Sequence, residues 1–453
     1  MSTIAAISTG QAAGGIGIVR ISGENALSVA DRIFRSVSGV KLTELKGYRA
    51  AFGKAVFEGK ELDEAVALVF RAPKSYTGED VVEINCHGGM LVTKQVLRAA
   101  LESGAVPAEA GEFTKRAFLN GKMDLTAAES VMNIISAKSD QAKQAALNVL
   151  DGSLYKKISE ISLSLKRISA QMAAWVDYPD DEIEDLSDEK LTNTLENAKN
   201  ELKTLISRFD RGQVILEGVE TAIIGKPNVG KSTLMNMLTG YEKSIVTSVA
   251  GTTRDIVEET VTLGNTVLRL ADTAGFRETD DTVEKIGVDR TRIKSGRATL
   301  ILAVFDASAS LDGEDEEIFK LCEGKNAIAV INKTDLDQKL DTEIINRVFN
   351  NIVYISAKEE KGLAELEKAV EELLGTADFD TTQATLMNER QLVCCKSALD
   401  SVEEALGSIE AGVTRDAINV NIDVAIESLD TLTGERATES VVNEIFSQFC
   451  VGK

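Results

Sequence analysis

The chain has 453 residues, room for about three domains of ordinary size, each with its own core. Its 50 Lys and Arg stand against 72 Asp and Glu, a net charge of −22, so a nucleic acid would have to meet a local basic patch or a partner's surface. No apolar run of about 18 residues marks a membrane span, the N-terminus carries no targeting features, and five cysteines without a CxxC pair beside one histidine argue against structural zinc and for reduced thiols in a cytoplasm.

From the start, residues 1–118 read as an α/β unit. STIAAIS, GIGIVRIS, ELDEAVALVFRAP and DVVEINCH are strand-like, with Gly14, Gly15 and Gly17 at the first junction, and MLVTKQVLRAALESG is a helix stopped by Gly104. Arg20, Glu83 and His87 interrupt apolar strands. Burying an unpaired charge costs on the order of several kcal/mol, so each of these faces water, pairs or binds a ligand; His87, followed by Gly88 and Gly89, reads as structural.

At GEFTKRAFLNGKMDL, residues 111–125, the character changes. Lys115, Arg116 and Lys122 stand close together, and Thr126 with Glu129 forms a capping box that opens a long helical region. Leu147, Leu150, Leu154, Ile158, Ile161, Leu165, Ile168 and Met172 recur at steps of three and four, a stripe buried against other helices. The acidic run DYPDDEIEDLSDEK reads as solvated helix starts, and LTNTLENAKNELKTLISRF leads on to Gly212.

GKPNVGKS, residues 225–232, fits Gly, four residues, Gly-Lys-Ser, between the strand TAIIG and an apolar-periodic helix. That context is the one a phosphate-binding loop requires. Gly225 and Gly230 let the backbone amides of Asn228, Val229, Gly230 and the following helix start curl round an anion. Lys231 reaches the β- and γ-phosphates, and Ser232, beside Thr233, holds Mg2+. Thr253 in GTTRD offers a second Mg2+ ligand in a loop able to order on the γ-phosphate. In DTAG, Asp272 holds the metal's water shell and the Gly275 amide meets the γ-phosphate, with Thr273 and Ala274 between them. Asn332, Lys333 and Asp335 of NKTD end the strand AIAVI, and Asp335 can accept from both N1–H and the 2-amino group of guanine. Ser356, Ala357 and Lys358 end the strand IVYI and frame the same base. Together, in this order, these stretches specify GTP.

After the helix LAELEKAVEELLG the chain turns helical again, with a second stripe at Leu392, Leu399, Val402, Leu406 and Ile409, then the shorter pieces VAIESLDTLTG and SVVNEIFSQF. The fold expected is an α/β P-loop GTPase domain, Ras-like with a mostly parallel sheet, at 215–376, inserted in an all-α helical domain at 119–214 and 377–453 and preceded by an α+β N-terminal domain at 1–118.

The order GIGIVRISG, TGEDVVEINCHGG, GEFTKRAFLNGKMDL, GKPNVGKS, GTTRD, DTAG, NKTD and the terminal FCVGK resembles the bacterial tRNA uridine modification GTPases of the TrmE type across essentially the whole chain. The N-terminal blocks and the Cys-Val-Gly-Lys terminus are the specific part. The resemblance implies K+ bound by Asn228, Thr247, Val249 and Thr252, within a nucleotide-contacting loop that also holds Ser248, Ala250 and Gly251. Phe276 follows DTAG where signalling GTPases place a glutamine, and the resemblance gives the water-orienting role to Glu284. It further implies dimerisation through the N-terminal domain and binding there of a reduced folate of the 5-formyl- or methylene-tetrahydrofolate type by Arg20, Glu83, Lys122 and Lys453. Family members often carry an arginine near position 13, where this chain has Ala13. Cys450 stands open between a nucleophile and a terminal anchor. The implied function is GTP-driven addition of a carboxymethylaminomethyl or aminomethyl group at C5 of the tRNA wobble uridine, as a cytoplasmic homodimer with an FAD-dependent partner, MnmG (GidA). The alternatives are a ribosome-assembly or signalling-type GTPase switch with RNA-binding flanks, and a folate-dependent transfer enzyme with a regulatory GTP domain.

Overall fold

The computed structural model describes residues 1–10, 12–177, 187–241, 259–270 and 298–453. They divide into two compact units. One gathers Met1–Met132, Val149–Leu202 and Val393–Lys453; the other gathers Asn133–Asn148 and Lys203–Leu392.

In the first unit β1 (Ile4–Ile7), β2 (Ile16–Ser22), β3 (Phe34–Ser36), β4 (Arg49–Phe57), β5 (Lys60–Phe70), β6 (Val81–His87) and β7 (Val106–Pro107) form a seven-stranded sheet in the order β3-β4-β5-β6-β2-β1-β7. β4 was not apparent as a strand, because AAFGKA is poor in the β-branched residues that favour one. A tight Glu58-Gly59 turn, both residues at positive φ, joins it to β5, the geometry that matches strand twist. Side-chain alternation sends Val19 and Ile21 of β2, and Val82 and Ile84 of β6, into the core built with the helices Ala26–Ile33 and Met90–Glu102. Arg20 and Glu83 are therefore turned to the other face, where the antiparallel register sets them opposite one another. On that side Phe113, from the helix Glu112–Leu119, packs with Ile4, Ala6 and Ala108.

The helical part of this unit buries most of the expected stripe: Leu154, Ile158, Ile161, Leu165, Ile168 and Met172 are buried along the helix Ser153–Asp177, whereas Leu147 and Leu150 stand on the separate helix Asp140–Leu150 and are only half-buried. Two further details correct the sequence reading. The helix Leu125–Ser136 is capped by Asp124, whose Oδ1 accepts from the amides of Thr126 at 2.8 Å and Ala127 at 3.1 Å, so Thr126 lies inside the helix and does not begin a capping box. The piece read as short at VAIESLDTLTG is the end of a longer helix, Arg415–Thr433, whose buried Ile418, Ile422, Ala425, Ile426 and Leu429 continue the stripe.

In the second unit β8 (Val219–Gly225), β9 (Glu259–Leu263), β10 (Thr266–Leu270), β11 (Leu300–Asp306), β12 (Ala327–Asn332) and β13 (Asn351–Tyr354) run in the order β13-β12-β11-β8-β10-β9. All pairings are parallel except β9 with β10. Apolar side chains from both faces of β8, β11 and β12 enter two cores, one on each side of the sheet. A parallel sheet buried on both faces places its ligand at the carboxyl ends of the strands.

Candidate functional site

Three of the strand ends at that edge of the sheet carry chemistry. β8 ends at Gly225 and the helix Lys231–Tyr241 begins six residues on, closing the phosphate-loop turn. A side chain at Gly225 would lie 2.5 Å from the Val304 carbonyl, and one at Gly230 would lie 2.3 Å from Asn332 Nδ2, so the close approach of loop, strand and base-binding turn requires glycine at both places. Asn228 adopts φ 65°, tolerated by asparagine better than by most residues. Lys231 is buried, and its Nζ donates to the carbonyls of Gly225 at 2.7 Å and Lys226 at 2.9 Å, holding the ammonium inside the loop. Ser232 and Thr233 are exposed at the helix start.

Asn332 joins the ends of the site. It is 2 % exposed; its Nδ2 donates to the Val229 carbonyl at 2.9 Å and its Oδ1 accepts from the Ala357 amide at 3.0 Å. One side-chain amide thus fixes the phosphate loop, the NKTD turn and the SAK turn together. Ser356 Oγ donates to Asp335 Oδ1 at 2.7 Å, which holds the exposed Asp335 carboxyl below the usual carboxylate range and so keeps it an acceptor. Lys333, at φ 64°, sends its Nζ to Asp306 Oδ2 at 2.6 Å, and Lys358 is exposed beside the turn.

Thr247, Ser248, Val249, Ala250, Gly251, Thr252, Thr253, Asp272, Thr273, Ala274, Gly275 and Glu284 lie outside the described residues. Two residues at the nucleotide end that sequence reasoning did not single out are Asp306 and Lys226. The strand LILAVFD, which ends in Asp306, carried the available signal, since a carboxylate at the carboxyl end of a buried parallel strand faces the ligand edge.

In the first unit Arg20 Nε donates to Glu83 Oε1 at 2.8 Å, with both side chains about four-fifths buried or more. The guanidinium lies between the rings of Tyr76 and Phe113, 5.5 Å and 5.4 Å from their centroids. Burial raises the Tyr76 phenol above its ordinary value, offset in part by its hydrogen bond with Thr114. The chain terminus closes on the same place. Gly452, at φ 98°, accepts from Ser8 Oγ at 3.0 Å and Arg20 Nη1 at 3.4 Å, while the Lys453 carbonyl accepts from the Phe113 amide at 3.1 Å. Lys122 donates from Nζ to the Pro73 carbonyl at 3.0 Å, reaching the loop that bears Tyr76. Cys450 is exposed, and its carbonyl accepts from the Gly111 amide at 3.4 Å. Of the neighbouring basic residues, Arg116 is buried in ion pairs with Glu79 and Glu112, and Lys115 donates to Asn443, so neither is a free phosphate contact.

In the second unit a separate cleft of about 520 Å³, lined by Phe319, Cys322, Asn326 and Phe349 among others, opens at the amino end of β12, the opposite end of that strand from Asn332. Among the described residues no cluster of His, Cys, Asp and Glu suits a metal ion, and no helix is long and apolar enough to cross a membrane.

A mostly parallel sheet whose strand ends bring a Gly-rich phosphate loop, an NKTD turn and an SAK turn into contact through one buried asparagine defines a P-loop GTPase. Residues 3–122 match the family described as GTP-binding protein TrmE N-terminus, and residues 125–450 match the MnmE helical domain. Curated proteins named tRNA modification GTPase MnmE are similar over the whole chain: 42 % identical over 456 residues in Acetivibrio thermocellus, 40 % over 459 in Bacillus subtilis and 42 % over 453 in Lactococcus lactis, covering 99 %, 100 % and 98 % of those proteins. The chain belongs to the MnmE family of tRNA modification GTPases.

Proposed function

We propose that this protein hydrolyses GTP to drive modification of the tRNA wobble uridine at C5, using a one-carbon unit from a reduced folate and acting in the cytoplasm as a homodimer with the FAD-dependent MnmG. The observation that carries the nucleotide half is the Asn332 amide, which links phosphate loop and base turns at the distances given above. Lys231 moves from the loop carbonyls to the β- and γ-phosphates, and Asp335 accepts from guanine. Ser232 and Thr253 hold Mg2+, and Asn228, Thr247, Val249 and Thr252 hold K+. These cations supply fixed positive charge where it develops on the phosphates. Glu284 orients the water that Phe276 cannot.

Arg20, Glu83, Lys122 and Lys453 are the folate contacts. The pair Arg20–Glu83 supports this reading because it is shielded, ring-flanked and closed over by the terminal residues, yet leaves carboxylate lone pairs able to accept from a pterin's N3–H and 2-amino group. Cys450 lies three residues from Lys453 on the same terminus and is either its anchor or a nucleophile. The acidic chain leaves much of the tRNA surface to the partner.

Two measurements on the purified protein test this. Phosphate release is expected to be faster in K+ than in Na+, and equal rates would remove the cation role. A labelled reduced folate is expected to be retained by wild type and lost from Glu83→Gln; no retention by wild type would favour a ribosome-assembly switch.

A further inference from the structure

Lys226, in the phosphate loop, sends its side chain to the start of a neighbouring helix. Its Nζ donates to Asp315 Oδ2 at 2.6 Å and to Asp312 Oδ2 at 2.8 Å. Asp315 is 3 % and Lys226 15 % exposed. The same Asp315 oxygen accepts from the Asp312 amide at 2.9 Å, within the capping box that starts the helix Gly313–Cys322. The backbone carbonyl of Lys226 meanwhile accepts from Lys231 Nζ at 2.9 Å. One residue thus grips the connector between β11 and that helix with its side chain, and the phosphate-loop lysine with its main chain.

The other end of this connector holds the base-binding turn. Asp306 accepts from Lys333 Nζ and, through Oδ1, from the amide and hydroxyl of Ser308 at 2.9 Å and 2.7 Å. The Ala307 amide donates to the Asn332 carbonyl at 2.8 Å, and the Ala307 carbonyl accepts from the amides of Lys339 at 2.8 Å and Leu340 at 3.2 Å. We infer that residues 306–315 form a brace between the two ends of the nucleotide site, and that Lys226 is a positioning residue that sets the phosphate loop through Asp312 and Asp315.

This inference rests on the GTP-binding reading. A buried carboxylate that loses its cation must reorganise or take up a proton, and the loop beside it shifts. A shift of the phosphate loop weakens every nucleotide that carries a β-phosphate, GDP as well as GTP.

The test is titration of the full-length protein with fluorescent GDP and GTP, alongside steady-state phosphate release. Lys226→Met is expected to raise Kd for both nucleotides about tenfold, roughly one pair interaction, with KM for GTP rising in step; Lys226→Arg, which keeps the charge and the donors, is expected to retain most of the affinity. Asp315→Asn, which preserves the helix cap, is expected to raise Kd about threefold and carries the test should Lys226→Met fail to fold. Unchanged Kd in folded Lys226→Met and Asp315→Asn, even with a lowered urea midpoint, would overturn the inference and leave the pair as a helix cap. Equal losses in the Met and Arg variants would also overturn it. Wild-type protein that bound neither nucleotide would sink the GTPase reading itself.

Discussion

At the scale of single residues, neighbours decide what a titratable group does. His87 is the chain's one histidine and its ring is 71 % exposed, yet its Nδ1 lies 2.7 Å from Asp63 Oδ1 while Asp63 Oδ2 accepts from the His87 amide. The hydrogen bond and charge of Asp63 raise the imidazole above its ordinary value. The pair therefore contributes fully below an unfolded value of about 6.5 and is lost as pH rises through the higher folded value. The single imidazole resonance is expected to titrate above 6.5 and to fall back toward it in Asp63→Asn; a wild-type midpoint at or below 6.5 would contradict the pairing. Sequence could pick out Arg20 and Glu83 as charges on apolar strands, but pairing, solvation and ligation stayed equivalent until the β2–β6 register set the two opposite one another. Asp124 was missed as a cap for a related reason. Thr126 and Glu129 satisfy the capping pattern on paper, and only the backbone shows which residue stands just outside the first turn.

At the scale of elements, periodicity told where helices bury a face but not where they begin, end or pair. The stripe from Leu154 to Met172 was legible because apolar side chains recur at 3.6 residues whatever lies opposite. The helix that lies opposite, Arg415–Thr433, was underread because the Asn and Asp residues in NVNIDV obscure its first half. These two helices are fastened by Asp430, 5 % exposed, which accepts from Ser162 Oγ at 3.0 Å and Lys166 Nζ at 2.8 Å. Lys166 is 40 % exposed, so solvent screens much of that ion pair. Asp430→Ala is expected to cost about 1–3 kcal/mol, mostly as lost hydrogen bonds to a buried acceptor. Urea unfolding measures it, and a change within a few tenths of a kcal/mol would contradict the role given to Asp430. In the nucleotide unit, β8, β12 and β13 could be read directly because each ends in a motif. β11 was passed over: LILAVFD carries the continuous apolar run of a buried strand, but its terminal Asp306 belongs to no nucleotide motif that draws attention to it.

At the scale of the whole molecule, the order of motifs along the chain identified the class, and the matches at residues 3–122 and 125–450 agree with it. What could not be read was the internal wiring of each unit: the terminal Gly452 and Lys453 folded onto Arg20 and Phe113 in one, and Asn332 and the 306–315 brace in the other. These contacts join residues far apart in sequence and leave no local pattern. The central claim is that hydrolysis at the Lys231 site drives a tRNA modification. The most direct measurement is nucleoside mass spectrometry of tRNA from cells lacking this protein and carrying either the wild-type chain or Lys231→Ala. The account predicts that C5-modified wobble uridines vanish without the protein, return with wild type and stay absent with Lys231→Ala. Full restoration by Lys231→Ala, or an unchanged profile in the deletion, would contradict it.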